Sequence, residues 1–389
     1  SSGGTVKYYV GNLLNGDIGK GQKAFQVVSD GTKVDINDAI FTSDTSATFV
    51  TSGVADGKMI VSGFAGGINT AVETTDADGA RLALNYTLTE NEVFNSTDAI
   101  DNSDFRITGT GADGLEIELQ KDLNISENAQ LSLNEVKFTG SSDLVNNAGA
   151  VLNIKDSFIG VDVRNFGLLK SDPTTYAGTV TNAAGATADF DADTFDATAT
   201  LANAGTVNLT NGVTFNSGAS ITGAGTTNLV SGTTVFNDTA NTNYITLANG
   251  AGFSGTLNGG SLDTRNNNID TGLGTVTNAN LYVDASLKGT GSVDEFAGTT
   301  GSTIKAINLT SSEYGTADSI TLAVGDAALD SDLQITGAMN YYTKVEKDTS
   351  GNIVFSDKLV NQSMLAAKTD LVDSAEVSGV NYQSKIGRA

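Results

Sequence analysis

A single phrase keeps returning in the middle of this chain. Residues 201–212 read LANAGTVNLTNG, and a cousin, ITGAGTTNLVSG, follows at 221–232. Its kernel is an aliphatic residue, an Asn two positions later, and a Gly shortly after. Val145 with Asn147, Val163 with Asn165, Val180 with Asn182 and Leu201 with Asn203 fit it, and Ile221 opens a copy with Gly223 in the Asn slot. The aliphatic members are 18, 17, 21 and 20 residues apart. Repetition at a fixed period constrains a fold more than any local propensity, because each copy must do the same structural job.

The phrase reads as a turn followed by a short strand. Asn and Gly tolerate positive φ and mark the bend. Alternating segments such as Val207-Asn208-Leu209 and Leu115-Glu116-Ile117-Glu118-Leu119 then place apolar side chains on one face. One short strand cannot bury that face alone. Copies stacked about 4.8 Å apart can. The period therefore predicts an all-β chain built as a right-handed parallel β-helix, with Val145, Val163, Val180, Leu201 and Ile221 piled inside. Asn147, Asn165, Asn182 and Asn203 would form a side-chain amide ladder beside them.

Leucine-rich repeats share the period but require an L-x-x-L-x-L frame that is absent here, and no helical 3.6-residue periodicity runs through the centre. An antiparallel sandwich or barrel is the rival, since strands with a turn every ten residues describe it too. The return of one phrase at one place in each period favours the solenoid.

The ends read differently from the middle, which divides the chain into 1–105, a β-rich cap or joining region, 106–310, the repeats, and 311–389, a second cap or joining region. Solenoid ends need covers, because an open strand edge invites pairing. Hairpins are expected at 25–36 (FQVVSDGTKVDI), 48–64 (TFVTSGVADGKMIVSGF) and 341–355 (YYTKVEKDTSGNIVF). Val360, Met364, Ala367 and Leu371 stand at helical spacing behind a Ser356 cap, which predicts a short C-terminal helix.

Composition narrows the chemistry. Lys and Arg total 21 against 45 Asp and Glu, a formal net charge of -24. Such a field repels phosphate backbones, so nucleic acid is excluded as a partner. Histidine, cysteine and tryptophan are absent. Without them the chain lacks the usual neutral-pH base, every thiolate and the commonest metal ligands. No apolar run is long enough for a transmembrane helix, so no membrane insertion by this chain is expected.

Three candidate sites remain. GTGADG at 109–114 matches G-x-G-x-x-G literally, but LEIELQ follows it where a dinucleotide site needs a helix, so a turn between coils is the better account. DFDAD places Asp189, Asp191 and Asp193 on one face of a strand. Ca²⁺ takes such oxygen ligands, although a solvated acidic face explains the run as well, and no other cofactor is implied. Paired carboxylates for glycoside hydrolysis are the one catalytic device left open. The tyrosines cluster mostly near the ends and the repeats hold almost none, so the aromatic platforms of a sugar-cleaving groove are not expected there, and neither is enzymatic activity.

The V-x-N-x-G and N-A-G-T-V-N-L phrases, over about 145–310, resemble the passenger regions of bacterial autotransporters and related exported β-helical adhesins. The resemblance implies a right-handed β-helix at the bacterial surface or secreted, serving adhesion, self-association or biofilm formation. It implies partners among host or bacterial surface proteins, glycans or copies of the chain itself. Fewer residues follow position 310 than a membrane β-barrel needs. The expectation is thus a passenger without its barrel, or another exported β-solenoid. The alternative is a structural subunit of a surface layer or filament, and a polysaccharide-cleaving β-helix stands behind both.

Overall fold

The computed structural model describes residues 5–9, 24–29, 34–36, 70–76, 79–88, 91–95, 99–100, 104–111, 114–265, 273–284, 296–309, 320–322, 326–337, 342–349 and 353–358. Among them the chain is all-β, with no helix, and its strands stack in parallel as a β-solenoid of about 9 turns. They fall into two compact units, 1–207 and 208–389.

In the first unit, one coil runs through three strands: Val151–Lys155, then Phe158–Ile159, then Val163–Asn165. Each strand hydrogen-bonds to its counterpart in the next coil, as Val151–Lys155 does with Leu168–Asp172. The long strands alternate inward and outward residues. Leu131, Leu152, Leu169 and Ala188 therefore stack in register at 0 % exposure. The short strands stack a bulkier column, Phe138, Ile159, Tyr176 and Phe195. Full burial of each such side chain stabilises by about 1.5–3 kcal/mol.

The corner after three of the long strands is turned by one residue in the left-handed region: Glu135, Asp156 and Ala192 have φ of 55°, 49° and 55°. That twist aims the following side chain inward, so Val136, Ser157 and Asp193 are all buried. The Asn-x-Gly corner obeys a different constraint. At Gly167 and Gly205 an added Cβ would fall 2.4 Å from a backbone carbonyl of the preceding coil, so only glycine lets the coils close.

Parallel pairing reaches beyond 106–310 at both ends. Gly79–Thr87 already pairs in parallel with Asp104–Thr108, and Thr303–Leu309 pairs with Ala328–Gly337. The hairpin expected at 25–36 is present, Val27 opposite Ile36, and its first strand also pairs with Thr5–Tyr9. The one at 341–355 is present as Tyr342–Lys347 against Ile353–Lys358. Residues 48–64 lie outside the described residues, as does most of the expected helix. Its proposed cap does not form. Ser356 continues the second strand of that hairpin, opposite Lys344, because the alternating pattern of Ile353–Lys358 extends through it.

Within the second unit, Phe215 stacks on Phe236 at 5.5 Å, and Phe236 meets Phe253 at 5.8 Å. Thr226–Leu229, Tyr244–Leu247, Ser261–Asp263 and Asn280–Asp284 pair successively in parallel. This run of strands carries the outward-facing cluster described next.

Candidate functional site

The repeated Asn is interior. Asn165, Asn182 and Asn203 are fully buried and lie in register, beside the aliphatic column Val163, Val180 and Leu201. Each carboxamide donates to the oxygen of the next: Asn165 Nδ2 to Asn182 Oδ1 at 2.8 Å, and Asn182 Nδ2 to Asn203 Oδ1 at 3.0 Å. Their second N–H groups reach backbone carbonyls of Thr187 and Thr206. Gly167 and Gly205 donate their N–H groups back to the Asn two residues earlier. Such saturation makes a buried amide tolerable, since each orphaned group would cost about 1–3 kcal/mol.

At the start of the ladder the register differs by one residue from the sequence expectation. Leu144 rather than Val145 stacks on Val163, and Asn146 rather than Asn147 stacks on Asn165, to which its Nδ2 donates at 2.7 Å. Leu-Val-Asn-Asn offers the phrase in two frames, and a one-residue slip exchanges the inner and outer faces. Val145 instead lies between Asn124 and Arg164, while Asn147 Nδ2 donates to the Ile125 carbonyl at 2.9 Å. Below Asn146 stands Ile125, an apolar neighbour, and Asn146 Oδ1 is left buried without a partner. Ile221 is interior, but its neighbour in the next coil is Asn241, not another aliphatic residue.

The single acidic face expected for Asp189, Asp191 and Asp193 does not form. Asp189 and Asp191 alternate outward along Thr187–Asp191, whereas the left-handed turn at Ala192 sends Asp193 into the coil at 0 % exposure. Three carboxylates on two faces cannot share one Ca²⁺. Among the described residues no group of three or more acids is placed to hold a metal ion together. Asp193 instead accepts hydrogen bonds from Ser171 Oγ at 2.8 Å, Thr174 N at 2.6 Å and Asp191 N at 3.0 Å. Ser171 in turn accepts from the Tyr176 hydroxyl at 2.8 Å. Burial pushes the Asp193 carboxyl up to about 8, against the pull of those donors, and raises Tyr176 as well.

The described residues of GTGADG, 109–111 and 114, lie at a coil corner. Gly109 N donates to the Asn134 carbonyl of the next coil, and the strand Glu116–Leu119 follows. Two outward acids in the first unit, Asp122 and Asp143, are brought together by the stacking, but Arg164 bridges them. Its Nη2 lies 2.9 Å from Asp122 and its Nε 2.6 Å from Asp143, the latter an ion pair off the N–H axis. A clamped pair of this kind is poorly placed to trade protons with a substrate.

The outward cluster in the second unit joins residues the sequence leaves apart. Tyr244 and Tyr282 meet edge to face, ring centroids 5.6 Å apart, and the Arg265 guanidinium lies over the Tyr282 ring at 5.2 Å. Arg265 grips Asp263 with Nε at 2.9 Å and Nη2 at 2.6 Å, and the Tyr244 hydroxyl donates to the same carboxylate. Burial raises the Asp263 carboxyl, but the guanidinium fork and the Tyr244 hydroxyl outweigh it and hold it below the ordinary carboxylate value. Partial burial and the bond to Asp263 push Tyr244 up to about 12, so the hydroxyl keeps its proton at neutral pH. Lys305, paired with Asp330, carries the same pattern of matched charge further along the strands. Register explains the meeting: Tyr282 is Asp263's partner in the next strand, and Tyr244 sits one strand back on the same face. The cluster offers aromatic surface and fixed hydrogen-bonding groups with its charges already paired.

No family model matches the chain, and neither a curated protein nor a solved structure matches it.

Proposed function

We propose that this chain is a non-catalytic, exported β-solenoid that works by binding, as an adhesin displayed outside the cell, like the bacterial passenger regions its repeats resemble. The observation that carries this reading is the outward cluster of Tyr244, Asp263, Arg265 and Tyr282. Half-buried aromatic rings beside a rigid Asp–Arg fork provide contact area with little conformational entropy to lose on binding. Among the described residues the acid furthest from its ordinary value, Asp193, is sealed inside a coil where no substrate reaches it, which argues against a hydrolase built on that group. Partners for such a surface are a protein or glycan on a host or bacterial cell, or a second copy of the chain.

The test is adhesion of the purified chain to cells and to a glycan array, compared with a Tyr244→Ala/Tyr282→Ala variant of unchanged thermal stability. Binding that falls at least about tenfold in the variant, equal to about 1.4 kcal/mol, supports the reading. Sheets or fibres formed by both proteins, without cell binding, would instead favour a structural subunit. Release of sugar from polysaccharide would overturn the non-catalytic assignment.

A further inference from the structure

Four Asn-Gly pairs occur in the sequence, at 15–16, 211–212, 249–250 and 258–259. The first lies outside the described residues. In such a pair the glycine nitrogen can attack the side-chain carboxamide of the preceding Asn, because no Cβ shields it. A bond forms between the Gly nitrogen and Asn Cγ, ammonia leaves, and a cyclic succinimide remains. Water then opens either carbonyl, giving Asp or an isoaspartyl linkage. The chemistry needs no oxidant, metal or enzyme. It needs a free carboxamide, an unengaged nitrogen and room to bend.

All three described Asn side chains are exposed, so exposure does not separate them. Hydrogen bonding does. Asn258 ends a strand, its Oδ1 accepts from Asn278 Nδ2 at 2.9 Å and Thr277 Oγ1 at 3.1 Å, and the nucleophile, Gly259 N, donates to the Thr277 carbonyl at 2.8 Å. Both reacting atoms are held by the next coil. Asn211 is tied more loosely, to Ser231 Oγ, and a Cβ on Gly232 would fall 2.9 Å from Gly212 N, which shows how closely the next turn covers that nitrogen. Asn249 and Gly250 occupy the middle of the turn closed by Ala251 N to Ala248 O at 3.1 Å. That bond does not use Gly250 N, and a Cβ on Gly250, at φ 82°, would meet nothing within 4 Å.

We propose that Asn249 is a site of spontaneous succinimide formation and deamidation, and that coil stacking protects Asn258 although its sequence context is equivalent. Conversion at Asn249 adds a negative charge to this corner and, in the isoaspartyl product, an extra backbone methylene as well. On either side, Ala248 N bonds the Leu229 carbonyl and Gly252 N bonds the Gly232 carbonyl, so an isoaspartyl link there strains the register of two coils.

The experiment is ageing of the folded chain at mildly alkaline pH, with peptide mapping by mass spectrometry over time, in parallel with the chain unfolded in urea. In the folded protein Asn249 should convert at least about tenfold faster than Asn258, since an opening free energy of about 1.4 kcal/mol suffices for that ratio. In urea the two should converge. An Asn249→Gln variant should remove that product alone. Equal rates in the folded protein, or faster conversion at Asn258, would overturn the proposal.

Discussion

At the scale of the residue, Asp193 shows how position overrides type. Its neighbours in sequence, Asp189 and Asp191, face outward, yet one left-handed residue between them and Asp193 reverses the direction of the side chain. The carboxyl then lies where Ser157 lies in an earlier coil, taking a backbone N–H from the coil before it as Ser157 takes that of Val136. With a folded-state value near 8 against an unfolded value of about 3.9, the native chain holds a proton that the unfolded chain releases across that interval. The contribution to stability is therefore full below about pH 4, shrinks as pH rises, and is gone above about pH 8. Urea midpoints should fall across that window. An Asp193→Ser variant, which keeps an acceptor for Thr174 N, should lose most of that slope. A slope unchanged by the substitution would mean that other groups set the pH dependence.

At the scale of the element, two kinds of glycine serve the Asn corner for different reasons. Gly185 has φ 85° and open space around it, so a side chain there meets only the left-handed strain of about 1–2 kcal/mol. Gly205 carries no positive φ, but a Cβ on it would press 2.4 Å from the carbonyls of both Ala183 and Ala186. Backbone atoms cannot move aside as a flexible side chain does, so Gly205→Ala must push two coils apart. Thermal melts of the two Ala variants should rank Gly205→Ala as the more destabilising, by about 1 kcal/mol or more. The reverse order would show that the coils have slack the structure does not display. The same elements explain what the repeat phrase conveyed. Its Asn and Gly mark real corners, but the phrase alone does not say which glycine turns the chain and which makes room.

At the scale of the whole molecule, the chain carries a net charge of -24, and among the described residues acids such as Asp172, Asp189 and Asp191 face out of the coils. Copies of such a chain repel one another at low salt, and screening shortens that repulsion to about 8 Å at physiological ionic strength. If self-association belongs to its function, sedimentation velocity should show larger species as salt is raised at fixed protein concentration. Association that weakens with salt would point to complementary charged patches between copies, a different interface from the one the composition favours.

Periodicity by itself determined that this chain coils. An apolar face on a short strand must be covered, and copies recurring about every twenty residues can cover one another only by stacking. The hairpins at 25–36 and 341–355 were legible for an equally local reason, their turn residues. The tertiary structure decided whatever depended on register. It chose Leu144 and Asn146 over Val145 and Asn147, a shift of one residue that composition does not sense. It also stacked Phe138, Ile159, Tyr176 and Phe195, a column that aromatics recurring near the same interval could have suggested. Tyr244, Asp263, Arg265 and Tyr282 came together because parallel pairing places residues from successive coils side by side, and no short motif records that distance. The sequence carries the period, since burial enforces it locally. The site belongs to the stacking, since only hydrogen-bonded register brings those side chains into reach.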